Sequence, residues 1–108
     1  MSQIKRQFRK FEDDLKERLA DPEYARVYLS VAFGEYEKDN NKEAFLLALR
    51  DVTEAQGGVS KLALSANLNR QNLYKALSKE GNPRLRTIEG ILRALGFRLS
   101  VESIKTTE

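Results

Sequence analysis

The stretch VSKLALSANLNRQNLYKALS, from Val59 to Ser78, decides how the chain is read. Asn67-Leu68-Asn69 divides it into two short segments whose apolar residues recur at helical spacing: Leu62, Ala63 and Ala66 before the break, Leu73, Ala76 and Leu77 after it. This is the pattern of a helix-turn-helix. Ala63 falls where two such helices approach most closely and a small side chain is needed. Asn67, four residues on, takes the turn position that requires a left-handed backbone, which asparagine tolerates best after glycine. Leu68 and Leu73 fill the space between the helices. An ordinary helical hairpin is the alternative, and it leaves this set of spaced requirements unexplained.

At 100° per residue, Leu73, Ala76 and Leu77 share the inner face of the second helix, and Gln71, Tyr74, Lys75 and Ser78 lie opposite them. Arg70 and Asn72 flank that outer face in the first turn, the end that points into a major groove. Candidate base-reading residues are therefore Arg70, Gln71, Asn72, Tyr74 and Lys75; glutamine suits adenine, lysine or arginine guanine. Candidate phosphate contacts are Ser60 and Lys61 at the start of the preceding helix, Asn69 and Ser78 at the ends of the second, and Asn82, Arg84, Arg86 and Thr87 around the start of the next. Taken singly, any of them can also be read as a solvated surface residue, the loop residues Asn82, Arg84, Arg86 and Thr87 most readily.

Charge supports a polyanion as partner. The 108-residue chain carries only +3 overall, but residues 60–98 hold eight Lys/Arg against two Asp/Glu, and residues 1–39 are net −1. With 41% hydrophobic and 32% charged residues and only two prolines, the composition is that of one folded helical domain. Cysteine and histidine are absent, so thiol catalysis, a Ser-His-Asp triad, a conventional zinc site and disulfides lack their parts. Asp13-Asp14 and Glu35 with Glu37 diverge on a charged helix, and Gly57-Gly58 lacks the rest of a phosphate loop. No enzyme, metal or cofactor is expected. No apolar run reaches membrane-span length and no signal peptide is evident, so a cytoplasmic protein is expected.

Working outward, Ile4, Phe8, Phe11, Leu15 and Leu19 form one apolar stripe on a charged N-terminal helix, flanked by Arg6, Arg9 and Lys10 and by Glu12, Asp13 and Asp14. Such a stripe either packs on this chain's own helices or a second copy, or lies in a partner protein's groove. Asp21-Pro22 caps and starts a second helix, which turns Tyr24, Val27, Tyr28, Val31 and Ala32 inward and frays between Gly34 and Asp39. Asn40 with Glu43 makes a capping-box variant for a third helix over about 41–56, stopped by Gly57-Gly58, with Phe45, Leu46, Leu49 and Val52 inward. Ser60 caps the next helix and Asn69 the one after. Gly81-Asn82-Pro83 is a turn, and a last helix over Leu85 to Leu95 ends at Gly96. Phe97, Leu99 and Val101 then alternate with polar residues, predicting a short C-terminal strand that needs a partner from elsewhere, such as the mate in a homodimer. The expected architecture is all-α: a helical N-terminal arm (1–39) and a helix-turn-helix domain with a C-terminal strand (40–108).

Taken together, Phe45-Leu-Leu-Ala-Leu-Arg-Asp-Val, Gly58-Val-Ser-Lys-Leu-Ala, Leu73-Tyr-Lys-Ala-Leu-Ser, Gly81-Asn-Pro and Leu95-Gly-Phe-Arg-Leu-Ser resemble the probable addiction-module antidote proteins, HigA-like antitoxins with a lambda-repressor-type (XRE) helix-turn-helix. The resemblance covers about residues 21–102. It implies a DNA-binding antitoxin that represses its own operon and neutralises a toxin of the RelE/ParE (HigB-like) class. Asn67 departs from the glycine that many relatives have there, and the arm over residues 1–20 is longer than the family leads one to expect. A stand-alone transcriptional regulator, or a protein interaction module without a DNA role, stays compatible with the residues.

Overall fold

A computed structural model describes residues 2–105, with side-chain surroundings given for Gln7 and for residues 9–105. The side chains of Ile4 and Phe8 lie outside the described residues. Six helices follow one another: α1 (Ser2–Leu19), α2 (Pro22–Asp39), α3 (Lys42–Ala55), α4 (Val59–Ala66), α5 (Arg70–Ala76) and α6 (Leu85–Ala94).

The boundaries have local causes. Asp21 is the N-cap of α2, its side chain accepting from the Glu23 amide at 3.2 Å, and Pro22 takes the first helical position, where its missing N–H removes no bond. At the other end of α2 the expected fraying is absent, and the helix continues through Gly34 to Asp39. Asn40 closes it in the left-handed conformation (φ 57°), donating its amide to the Tyr36 carbonyl. This corrects the capping of α3. Asn40 is spent on the exit from α2, and Asn41 caps α3, its side chain accepting from the Ala44 amide at 3.2 Å. The N-cap of α4 is likewise Gly58 rather than Ser60, which lies inside the helix.

The core centres on α3, which contributes Phe45, Leu46, Ala48, Leu49 and Val52. α1 and α2 pack on one side of it, and α4 to α6 complete the rest with Val59, Leu62, Ala63, Leu73, Leu77, Ile91 and Leu92. The Gln56 side chain donates to the Leu19 carbonyl at 3.0 Å, which satisfies a carbonyl that the end of α1 leaves without a helical partner. The α1 stripe divides. Leu19 is fully buried and Leu15 packs against the core, whereas Phe11 remains 65% exposed.

Two expectations fail, the first of them in part, for identifiable reasons. The inner face of α2 is set by Ala25 and Leu29, with Tyr28, Ala32 and Phe33 half-buried, while Tyr24, Val27 and Val31 are exposed. Two apolar stripes one residue apart run along this helix with the same period, and packing against α3 selects one of them; the Phe33 and Phe45 ring centres are 4.1 Å apart. The C-terminal strand at Phe97, Leu99 and Val101 does not form, and no strand occurs among the described residues. A strand exists only as half of a ladder, and the described residues supply no second half. The alternation begins instead with a helix-ending motif: Gly96 is left-handed (φ 93°), and the Phe97 amide donates to the Leu92 carbonyl at 2.7 Å. That bond carries Phe97 back onto the core, as the apolar residue after such a motif commonly is.

Candidate nucleic-acid interface

α4 and α5 are joined by three residues, each with an identifiable role. Asn67 is left-handed (φ 55°, ψ 45°), and its amide donates to the Leu64 carbonyl. The Leu68 amide donates to the Ala63 carbonyl at 2.9 Å. The Asn69 side chain accepts from the Asn72 amide at 3.1 Å and caps α5. Ala63 and Leu73 are buried at the contact between the helices and Leu68 is half-buried. Only seven residues long, α5 is therefore held by its cap, its turn and one fully buried leucine.

With Leu73 and Leu77 inward, Arg70, Gln71, Asn72, Tyr74 and Lys75 are all exposed. The Arg70 guanidinium lies 5.6 Å from the centre of the Tyr74 ring, a cation–π contact that holds both side chains on the outer face of α5. Ser78 is half-buried and donates its hydroxyl to the Lys75 carbonyl at 2.7 Å, and the Asn69 oxygen is engaged in its cap. Their bonds are thus made within the α4–α5 unit. Ser60 and Lys61 are exposed in the first turn of α4, whose leading amides offer partial positive charge.

The loop before α6 is brought beside this pair by a close approach at Gly81. A Cβ there would meet the Ala76 carbonyl group and the Lys75 oxygen, the latter at 2.8 Å. Asn82, Arg84 and Arg86 beyond it are exposed, Arg84 is the N-cap of α6, and Thr87 is half-buried. Sequence reading missed one neighbour of this loop. The Lys42 ammonium, in the first turn of α3, donates to the Asn82 side chain at 3.3 Å across 40 residues of chain. No local pattern marks Lys42, because only the packing of α3 carries it there.

Among the described residues the salt bridges are Arg26–Glu23, Lys38–Glu35 and Arg93–Glu89, and none engages Lys61, Arg70, Lys75, Arg84 or Arg86. All five are exposed, and several cations elsewhere, such as Lys16, Arg18 and Arg50, are likewise outside these ion pairs; what marks the five is their place on or beside α4, α5 and the start of α6. Phe97 is half-buried, Leu99 partly exposed and Val101 almost fully exposed, away from that set in the sequence and on an extended tail. No group of residues among those described has the makings of a metal site, and no described helix is long and apolar enough to cross a membrane.

Comparison with known proteins adds identity to this geometry. No solved structure matches the chain. An uncharacterized protein of Haemophilus influenzae is 35% identical over 89 residues, which span 82% of this chain and 87% of that protein. The family model described as "Probable addiction module antidote protein" matches residues 7–103, from the exposed part of α1 through the C-terminal tail, and the chain belongs to that family.

Proposed function

We propose that this protein is the DNA-binding antitoxin of a type II toxin-antitoxin module, which represses its own operon through α4 and α5 and neutralises a toxin of the RelE/ParE (HigB-like) class in the cytoplasm. Membership of the antidote family supplies the toxin in general terms. The observation that carries the DNA reading is the α4–α5 pair, in which a left-handed Asn67 and buried Ala63 and Leu73 support an outer face of Gln71, Tyr74 and Lys75 beside the exposed cations Lys61, Arg70, Arg84 and Arg86.

In this reading α5 is the recognition helix of a lambda-repressor-like helix-turn-helix. Gln71 and Lys75 read base edges, with Arg70, Asn72 and Tyr74 at the margins. Lys61, Arg84, Arg86 and the amides starting α4 hold phosphates and set register, and Lys42 joins Asn82 in doing so. One seven-residue helix covers only a few base pairs, so the protein acts as a homodimer on two half-sites about one helical turn apart. Neither a cofactor nor a catalytic step is needed. The toxin meets a surface other than α5, because α5 is occupied in the repressing complex. The exposed end of the α1 stripe, at Phe11, is the available part of the arm.

A gel shift with the DNA upstream of the gene tests the first half: retarded DNA that resists competition by random sequence is expected, and equal competition by both would overturn operator recognition. Co-expression with the protein encoded beside the gene tests the second. Rescue of growth is expected, and an unpoisoned or unrescued host would overturn the antidote assignment for that pair.

A further inference from the structure

The observation concerns the flank of α2 beside the C-terminal tail, where Phe33 is half-buried: its ring packs on Phe45 of α3 and also borders the cleft. Arg26, Ser30, Phe33 and Glu37 all line one open cleft of about 920 Å³, whose other wall is the C-terminal tail with Arg98, Leu99 and Glu102. Their spacings of 4, 3 and 4 residues make a single straight seam along the helix, the spacing by which two α-helices pack side by side. The seam is also its own mirror image. Arg26 and Glu37 stand symmetrically about the midpoint between Val31 and Ala32, and so do Ser30 and Phe33. Laid antiparallel on a second α2 in that one register, each Arg26 meets the other copy's Glu37, about 16 Å from its own, and each small Ser30 meets the other copy's Phe33.

We propose that this seam is the interface at which two copies of the chain associate, α2 against α2 about a two-fold axis. A two-fold contact requires a patch complementary to itself, and this one carries opposite charges at its two ends and a small residue opposite a large one at its centre. The tail wall repeats the balance with Arg98 and Glu102. A polyanion has no use for such a neutral cleft, and a different protein gives no reason for the symmetry. Arg26 is at present held by Glu23 within its own helix; both groups are exposed, so sharing that arginine with a partner's Glu37 costs little. The proposal rests on the reading of a dimeric operator-binding protein and locates its dimer contact, which the missing C-terminal strand does not supply.

Charge reversal tests the register on the full chain. Sedimentation velocity at micromolar concentration should find the wild type dimeric. R26E and E37R should each bring like charges together twice per dimer and weaken self-association roughly tenfold or more. The double variant R26E/E37R should restore it, as should mixing the two single variants, in which each altered residue finds its opposite. Circular dichroism on every sample should report unchanged helicity, since both positions are exposed. A monomeric wild type overturns the seam, as does a dimer that both single reversals leave intact. A gel shift on the same samples reports DNA binding separately, so a wrong interface is distinguished from a wrong function.

Discussion

The α4–α5 pair consists of helices of eight and seven residues, and the α1–α2 hairpin of two helices of eighteen, yet the shorter unit is the one whose faces can be read from its sequence. In α5 one buried leucine fixes the rotation, and every other residue of the helix follows from it. In α2 two apolar stripes compete, and the decision is taken by α3. Short helices that cannot stand alone must declare their core residues unambiguously. A long helix has apolar residues to spare, and those left over are a surface.

The largest expected difference between the two regions is in stability. Leu73→Ala leaves a cavity at the α4–α5 contact and should cost about 2–5 kcal/mol, whereas Val27→Ser, on the exposed side of α2, should stay within about 0.5 kcal/mol. Urea unfolding of both variants checks this. Equal losses would show that the outer stripe of α2 is as much core as the centre of the motif.

What was legible follows the same division. Asp21, Asn67 and Asn69 were readable because a cap or a left-handed turn is decided by the residue and its immediate neighbours. The exposure of Gln71, Tyr74 and Lys75 followed from the position of Leu73. Asn40 and Asn41 are chemically the same, so the exit of α2 and the entry of α3 could not be apportioned between them without the backbone. The Lys42–Asn82 bond depends on how α3 packs. Alternation at Phe97, Leu99 and Val101 is a real pattern, but a ladder needs a partner that a sequence does not display.

The next effect is on binding. Gln71→Ala or Lys75→Ala should each cost about 1–3 kcal/mol of operator affinity and relax the preference for operator over random DNA, while Lys42→Ala should weaken both alike and lower the salt slope by about 1. Titrations at several salt concentrations separate the two behaviours. An unchanged operator-to-random ratio in the α5 variants would show that the recognition face has been placed wrongly.

A finer contrast uses the two left-handed asparagines. Asn40→Ala and Asn67→Ala each force a Cβ-bearing residue without a locally bonding side chain into φ near 55–57°, at a cost of about 1–2 kcal/mol apiece. The stability losses should match. Only Asn67→Ala should also reduce operator affinity, because it loosens the turn that aims α5, while Asn40 lies between α2 and α3. Matching losses of DNA binding would mean that the first three helices aim the motif as directly as its own turn does.

The smallest effect lies at a side-chain hydrogen bond between α2 and α3, where the Tyr28 hydroxyl donates to Asp51 at 3.1 Å. Burial raises the Asp51 carboxyl above its ordinary value, against the opposing influence of the Tyr28 bond and of Arg50. Burial also pushes Tyr28 up to about 12, with the Asp51 charge adding to it. For an acid whose folded value is raised, the proton binds more tightly in the folded state, so its favourable contribution is complete below the unfolded value and is lost as pH rises through the folded one. Asp51→Asn keeps an oxygen for Tyr28 and removes the charge. It should therefore raise the thermal midpoint slightly at neutral pH, with the gap closing as the pH falls through the carboxylate range. In the same variant the Tyr28 titration, followed by ultraviolet absorbance, should move down while staying above the ordinary tyrosine value, because burial is its leading cause. A variant less stable than the wild type at neutral pH would show that the ionised carboxylate, rather than the hydrogen bond it accepts, joins α2 to α3.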